Sequence, residues 1–419
     1  MRYVAADLGM DPRTAWSALK AARWPVWHEL PLPRSEGGRF GICLTPALAA
    51  PLHTIDRASG DDLLRADAPA LTASPLRKRL AALFSRGELI PNRLRVVTVM
   101  GEAAESSILE GASATRAQAL DMLRSGRPPA TPGERMILNN YEAMQFVKRS
   151  LGAPLSLELL LEIQSIVTEG TLHDPAACGR FRRDDEPVRV VDTRDSSTVF
   201  TPPPAQSVVP LLKNLCHFAN GEPTDTPFLH PIVRACIMHF MVGYIHPFVD
   251  GNGRTARAVF YWYALRHGYS VFEFVAISEI IREGQARYPQ AYLDSEHDEG
   301  DLTYFVLYHL AVIEQALERL AAHLGREELR IRRSERFLAV AKSLNLRQRL
   351  ILDHAVRHPS SEYSVKSHAR ANGVTKATAR TDLESLRRRQ LLTAFKKTGK
   401  EVHYRLASGV KERLARLTA

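Results

Sequence analysis

The chain has 419 residues, 45% hydrophobic and 24% charged, an ordinary globular composition with length for two or three domains. Its four cysteines (Cys43, Cys178, Cys216, Cys236) have no paired spacing, so neither a disulfide framework nor a cysteine zinc site is expected. No run approaches the roughly 18 apolar residues of a membrane span, and residues 340–419, with 18 Lys+Arg against 6 Asp+Glu, carry more than the whole net charge of +10 and leave the rest slightly acidic.

The first residues lack the basic patch, apolar run and cleavage site of a secretory signal. A soluble cytoplasmic protein without a membrane partner is therefore expected. A concentrated basic segment is the electrostatic footprint of nucleic-acid binding, although solvated basic surfaces share it.

In chain order, residues 1–60 form an N-terminal region to which the sequence assigns no role. Within it, "DPRTAWSALKAA" predicts a short helix with Asp11 as cap and Pro12 at its first position. "WHELPLPRSEGGRFGICL" has the Pro and Gly punctuation of a loop or small sheet. Residues 61–125 turn helical in "PLRKRLAALFSRGEL" and "RLRVVTVMGEAAESSILEG". The break "SGRPPATPGE" then opens a core over residues 126–320. Two amphipathic helices begin it. Between residues 174 and 204 the helical period disappears, and β-branched runs around charged turns predict a hairpin flap. Helices return in "AQSVVPLLKNLCHFAN", "PIVRACIMHFMVGYI" and "RTARAVFYWYALRHGY". A long charged helix then leads through a linker at 321–345 into residues 346–419. The fold class is mainly α with one β insertion.

The chemistry concentrates in residues 246–257, "HPFVDGNGRTAR". Pro247 stops the preceding apolar helix after His246, and a new helix resumes at Arg254. Gly251, Asn252 and Gly253 are thereby placed in the turn before a helix N-terminus, where N–H groups and the helix dipole form an anion nest. Arg254 and Arg257 are three apart and project from the same side of the first turn. Two guanidiniums over such a nest suit a polyphosphate better than a single carboxylate. Asp250 beside phosphate requires a cation, which points to Mg²⁺, and His246 is the natural general base. A Gly-Asn-Gly turn or an interior histidine is ordinary when it stands alone. Their joint occurrence in fixed order is not.

These residues resemble the signature of the Fic family, His-x-Phe-x-Asp/Glu-Gly-Asn-Gly-Arg-x-x-Arg, at His246, Phe248, Asp250, Gly251, Asn252, Gly253, Arg254 and Arg257. The resemblance extends over roughly residues 65–320, including "GRFRR", the flap and the "PPP" turn. Ala256 stands where many members have glycine. The resemblance implies a Fic helical fold and transfer of AMP from ATP to a Tyr, Thr or Ser hydroxyl of a target protein or of the chain itself. His246 would deprotonate the acceptor, and Asp250 would hold Mg²⁺ on the α and β phosphates. The 251–253 nest with Asn252 would orient the α-phosphate, while Arg254 and Arg257 would hold the β- and γ-phosphates. A buried Phe248 would anchor the loop, and the flap at residues 186–200 would align the target by strand addition.

"SSILEG" matches the family's inhibitory motif at Ser106, Glu110 and Gly111. The resemblance implies that Glu110 pairs with Arg257 and competes with ATP. In a second reading Glu110 positions a water for removal of AMP. Transfer of UMP, phosphocholine or the γ-phosphate stays open on these residues, as does a nucleotide sensor attached to a DNA-binding regulator. The complete base-containing set favours the enzyme.

Residues 346–419 look like a winged helix-turn-helix. "LRQRLILDHAV", "YSVKSHARANG" and a helix from near Thr375 would be followed by two strands around "KKTGKE". Lys376, Thr378, Arg380 and Thr381 would face a DNA major groove, and Lys396, Lys397 and Lys400 would be wing contacts to phosphate. Such modules also serve in protein docking and dimerisation, so DNA and a homodimer are the further partners in view.

Overall fold

The computed structural model describes residues 9–59, 89–191, 198–221, 228–337, 344–396 and 401–410. The predicted helix "PLRKRLAALFSRGEL", apart from its last residue Leu89, and the wing residues Lys397 and Lys400 lie outside them. In chain order the elements are α1 (Pro12–Arg23), β1 (Trp27–Pro33), β2 (Arg39–Cys43), α2 (Ala49–Ser59), α3 (Leu89–Leu109), α4 (Arg116–Ser125), α5 (Pro132–Arg149) and α6 (Leu157–Thr168). The strands β3 (Val190–Val191) and β4 (Thr198–Phe200) precede α7 (Ala205–Ala219), α8 (Pro231–Ile245), α9 (Asn252–Arg266), α10 (Ile277–Glu283), α11 (Arg287–His297) and α12 (Thr303–Phe337). Then come α13 (Leu346–Arg357), β5 (Tyr363–Ser364), α14 (Val365–Asn372), α15 (Lys376–Arg388), β6 (Leu392–Lys396) and β7 (Val402–Leu406). The mainly α class with a small β insertion holds.

These elements form two compact units. One contains the residues up to Asp56 with Glu142–Phe272 and Ile277–Gln315, and the other contains Arg57–Tyr141, Glu273–Ala276 and the residues from Ala316.

In the first unit, Asp11 caps α1 by accepting from the N–H groups of Arg13 and Thr14, with Pro12 at the first helical position. The segment read as a loop or small sheet is the antiparallel β1–β2 hairpin. Its Gly41 N–H donates to the Gly300 carbonyl, and Leu302 N–H donates back to the Gly41 carbonyl. A side chain at Gly41 would meet the Trp27 ring at 2.2 Å, so only glycine lets the strand pass beneath that indole. The centre of the unit is α8, where every residue except Pro231, Arg234 and Gly243 is buried. A helix buried on all sides needs apolar residues on all faces, which explains the run "IMHFMVGYI". Helices α7 and α9 pack on α8, and α6 packs on α9. The predicted flap is the short antiparallel pair β3–β4, with Val190 opposite Phe200.

In the second unit, α3, α4 and the start of α5 share a small core of Met100, Ala104, Met122, Leu123 and Ile137. Thr115 and Gln118 form a reciprocal capping box on α4, and Gly126 ends it at φ +66°. The C-terminal segment has its own core, including Ile351, Leu352, Leu383, Leu386 and Tyr404. Three helices support a sheet in the order β5-β7-β6. The sequence pattern predicts β6 and β7 but not β5, because two residues carry no period. Asp382 on α15 joins the helices: it accepts from Asn345 at 2.8 Å, from Arg347 and from His368 at 3.3 Å. Burial works to raise its pKa, and the hydrogen bonds from His368, Arg347 and Asn345 reverse this and hold it well below the usual carboxylate range. Helix α14 packs on α15 and also on α3 and α4.

Candidate active site

The site residues lie at the join between α8 and α9. His246 ends α8 in the left-handed region (φ 49°, ψ 57°), with its N–H donating to the Val242 carbonyl. A non-glycine residue there costs energy unless its surroundings fix it. Its Nδ1 lies 3.1 Å from the Gly243 carbonyl. A carbonyl only accepts, so Nδ1 carries the proton and Nε2 carries the lone pair of the neutral ring. The imidazole is half-buried.

Arg182 fixes this strained residue. Its side chain is largely buried, and its Nε donates to the His246 carbonyl at 2.8 Å. Its Nη2 reaches the Ile245 carbonyl at 3.4 Å and the Pro203 carbonyl below the flap. The Arg182 main-chain N–H donates to the Pro247 carbonyl at 2.9 Å. One guanidinium thus satisfies carbonyls left over at the end of α8 and ties them to the segment that follows the flap.

Phe248 is fully buried and stacks on Phe181 with ring centroids 5.6 Å apart. Asn252 closes the loop: its Oδ1 accepts from Phe248 N–H, and its Nδ2 donates to the Phe248 carbonyl, both at 2.9 Å. The Asn252 amide is therefore a brace for the loop and does not face a phosphate. Gln164, buried on α6, donates to the Asp250 carbonyl at 3.2 Å and accepts from Gly179 N–H at 2.7 Å.

Helix α9 begins two residues earlier than its sequence pattern, because Gly251 at φ 86° serves as its cap. Asn252 and Gly253 thus lie in the first turn instead of in the preceding loop. The ladder starts with Thr255 N–H donating to the Gly251 carbonyl. The N–H groups of Asn252, Gly253 and Arg254 precede that ladder and point out of the helix start. Gly251 N–H is turned to the Asp250 carboxylate.

A Cβ at Gly251 would lie 2.8 Å from Thr168 Cγ2 and 3.2 Å from Val167 Cγ2. Both its backbone angle and the close approach of α6 exclude a side chain. Gly251→Ala is expected to lower stability by about 1–3 kcal/mol, read as a fall in the urea midpoint. An unchanged midpoint would contradict this account of the turn.

Both arginines are buried, with 1% of each surface exposed. Arg254 Nη1 donates to the Val167 carbonyl at 2.6 Å, and Nη2 lies 3.3 Å from Asp250 Oδ1. Asp250 itself is half exposed, at 51% of its side chain. Arg257 stands near His239, His309 and Tyr292. Burial, then His309 and then the Arg257 charge hold His239 well below the ordinary imidazole range, and burial takes His309 to about 3. Burial first, and Tyr288 next, raise the Tyr292 pKa well above the ordinary phenol range. The two imidazoles and the phenol around Arg257 on this side are thus neutral.

Of the inhibitory-motif residues, Ser106 is buried in α3, and Glu110 is exposed in the turn that follows. Glu110 N–H donates to the Ser107 carbonyl, and Gly111 takes φ +91°. In the C-terminal module, Lys376, Arg380, Thr381 and Lys396 are exposed and Thr378 is half-buried. The hydroxyls of Thr378 and Thr381 are tied to their own helix start and turn, through Thr375 and the Ala377 carbonyl.

Sequence reasoning gave no individual role to Arg182 or Gln164. "GRFRR" drew attention only as part of a resemblance. A glutamine among the leucines and isoleucines of α6 was the one available signal for Gln164.

A protein adenylyltransferase Fic from Drosophila grimshawi is 28% identical over 217 residues, covering 50% of this chain and 40% of that protein. Protein adenylyltransferase fic-1 from Caenorhabditis elegans is 30% identical over 170 residues, 38% of this chain and 30% of that one. The chain thus spans less than half the length of these curated relatives. Among solved structures, a Fic family protein from Desulfovibrio desulfuricans G20 has a TM-score of 0.49 at 20% identity, covering 87% of this chain and 97% of that one. The Fic/DOC family model matches residues 154–264, a stretch that runs from just before α6 into the helix that carries both arginines.

Proposed function

We propose that the protein is an adenylyltransferase that moves AMP from ATP to a Tyr, Thr or Ser hydroxyl of a target protein or of itself, with Glu110 as its brake. The observation that carries this reading is the join of α8 and α9. It brings together an imidazole whose Nδ1 faces the Gly243 carbonyl, a half-exposed carboxylate, first-turn N–H donors and two buried guanidiniums. In the reaction the acceptor oxygen bonds to the α-phosphorus, the bond to the bridging oxygen breaks, and pyrophosphate leaves. His246 Nε2 takes the hydroxyl proton. The N–H groups opening α9 orient the α-phosphate, and Arg254 and Arg257 offset charge on the leaving phosphates.

Asp250 fits one magnesium ion. It is a half-exposed carboxylate beside the phosphate cradle, and magnesium is usually held by one or two carboxylates together with substrate phosphates. When bound, the ion neutralises phosphate charge and orients the departing pyrophosphate. The β3–β4 flap pairs with the target backbone by strand addition.

The brake follows from the motif at the end of α3, where Glu110 competes with the γ-phosphate for Arg257. The C-terminal module is read as a winged helix that binds nucleic acid. Its charge supports this, as do the exposed Lys376, Arg380 and Lys396 on α15 and β6.

The test uses ATP labelled separately at the α and γ positions, with magnesium, and follows label retained on protein. The expected outcome is α-label only, raised roughly 5- to 150-fold in Glu110→Gly, the range of an ordinary coupling free energy. Retention of γ-label alone would make the chemistry that of a kinase. ATP binding without any retained label, across added target extracts, would favour a nucleotide sensor.

A further inference from the structure

The C-terminal module contains a cleft of about 530 Å³ between the start of α14, the start of α15 and strand β7. Lys366, Lys376 and Arg380 line it with Glu384, Glu401 and Tyr404. Glu384 is taken up by Arg387 at 2.7 Å and by the Tyr404 hydroxyl at 2.6 Å. The three cations therefore face chiefly one exposed carboxylate, Glu401. In helix-turn-helix geometry the helix before the recognition helix crosses the phosphate backbone. The first turn of α14, with Lys366, is where a phosphate would arrive.

Lys366 already has another partner. Its ammonium donates to the carbonyl of Gly126, the left-handed cap of α4. One turn on, Arg370 Nη1 donates to the Leu123 carbonyl at 2.6 Å, and its guanidinium lies over the Tyr141 ring at 5.9 Å. A Cβ at Gly126 would come within 2.7 Å of both Arg370 Nη1 and Lys366 Cε, so this cap is shaped for the two side chains. Helix α14 is thus held against α3 and α4, and α3 is the helix that runs into Glu110.

We infer that a nucleic-acid phosphate in this cleft and the Gly126 carbonyl compete for Lys366, so that nucleic-acid binding loosens α14 from the helix that ends at Glu110. The inference rests on the nucleic-acid and brake readings above and supplies the missing trigger for the brake. Exposed Lys366 exchanges partners readily, and a phosphate is the stronger acceptor because it is charged. Linkage makes the effect reciprocal: whatever weakens the α14 docking tightens nucleic-acid binding by the same factor.

The test uses the full chain and a fluorescent mixed-sequence DNA duplex, read by anisotropy at low salt, with α-label transfer measured in the same samples. Arg370→Ala removes a docking contact outside the cleft, and Tyr141→Leu removes the ring beneath it should the first variant fail to fold. The duplex is expected to raise transfer severalfold in wild type and to add nothing in Glu110→Gly. It should bind the docking variants severalfold more tightly than wild type. Equal affinity for wild type and variants, with transfer unmoved by duplex, would overturn the inference and leave nucleic-acid binding standing. A duplex bound by none of them would remove both the inference and the nucleic-acid reading. α-Label retention by Glu110→Gly would then still decide the enzyme separately.

Discussion

His246→Ala is expected to cut AMP transfer by about 10²–10⁴-fold, the usual contribution of a positioned general base, with ATP affinity close to that of wild type. In the proposed reaction the helix start, Asp250 and the two arginines hold the nucleotide, whereas the imidazole acts on the acceptor hydroxyl. The loss should therefore fall on kcat. The Gly243 carbonyl faces Nδ1, which leaves Nε2 to act as the proposed base. The measurement is α-label transfer by Glu110→Gly and by Glu110→Gly/His246→Ala, with ATP binding followed by calorimetry. Undiminished transfer in the double variant would exclude His246 as the base, and lost ATP binding would move its role to the nucleotide.

Much of this site can be read from the sequence, because its chemistry is local. Asp250, Gly251, Arg254 and Arg257 lie within eight residues of one helix start, and helix geometry alone brings them together. The cap of α1 is legible for the same reason, with Asp11 just before Pro12. What the sequence could not convey is contact across distance. The acceptors of Arg182 are main-chain carbonyls of residues 203, 245 and 246, and a carbonyl has no side-chain signature. The burial of both arginines also escaped, since charge normally reads as surface. Asn252 looked like a phosphate ligand, yet its amide matches the main chain of Phe248 at both ends. The hairpin in the first 60 residues had no assignable role because its partners, Gly300 to Leu302, come some 250 residues later.

Arg182→Ala is expected to lower kcat about 100-fold, the scale of loss when a reacting group is displaced by an ångström or so. His246 occupies a left-handed conformation that L side chains rarely adopt. Arg182 holds the carbonyls on either side of its Cα, Ile245 and His246, and the Pro203 carbonyl beneath the flap. Without the guanidinium, His246 can relax and carry Nε2 away from the acceptor, while the flap loses its fixed base. Lysine cannot replace it, because a single ammonium does not reproduce a planar fork over three separated acceptors. Arg182→Lys should therefore fall well short of wild type even if its unfolding midpoint recovers. A purely structural role predicts the reverse, with activity tracking the folded fraction in every variant. The deciding measurement is kcat and KM for ATP at a temperature where circular dichroism reports each variant fully folded, with and without added guanidinium ion. Partial rescue of Arg182→Ala by guanidinium, absent with equal sodium chloride, would place the effect at His246 and the flap. A normal kcat in folded Arg182→Ala would mean that the left-handed turn at His246 is held by the remaining loop contacts, Phe248 on Phe181 and Asn252 on Phe248, without the guanidinium.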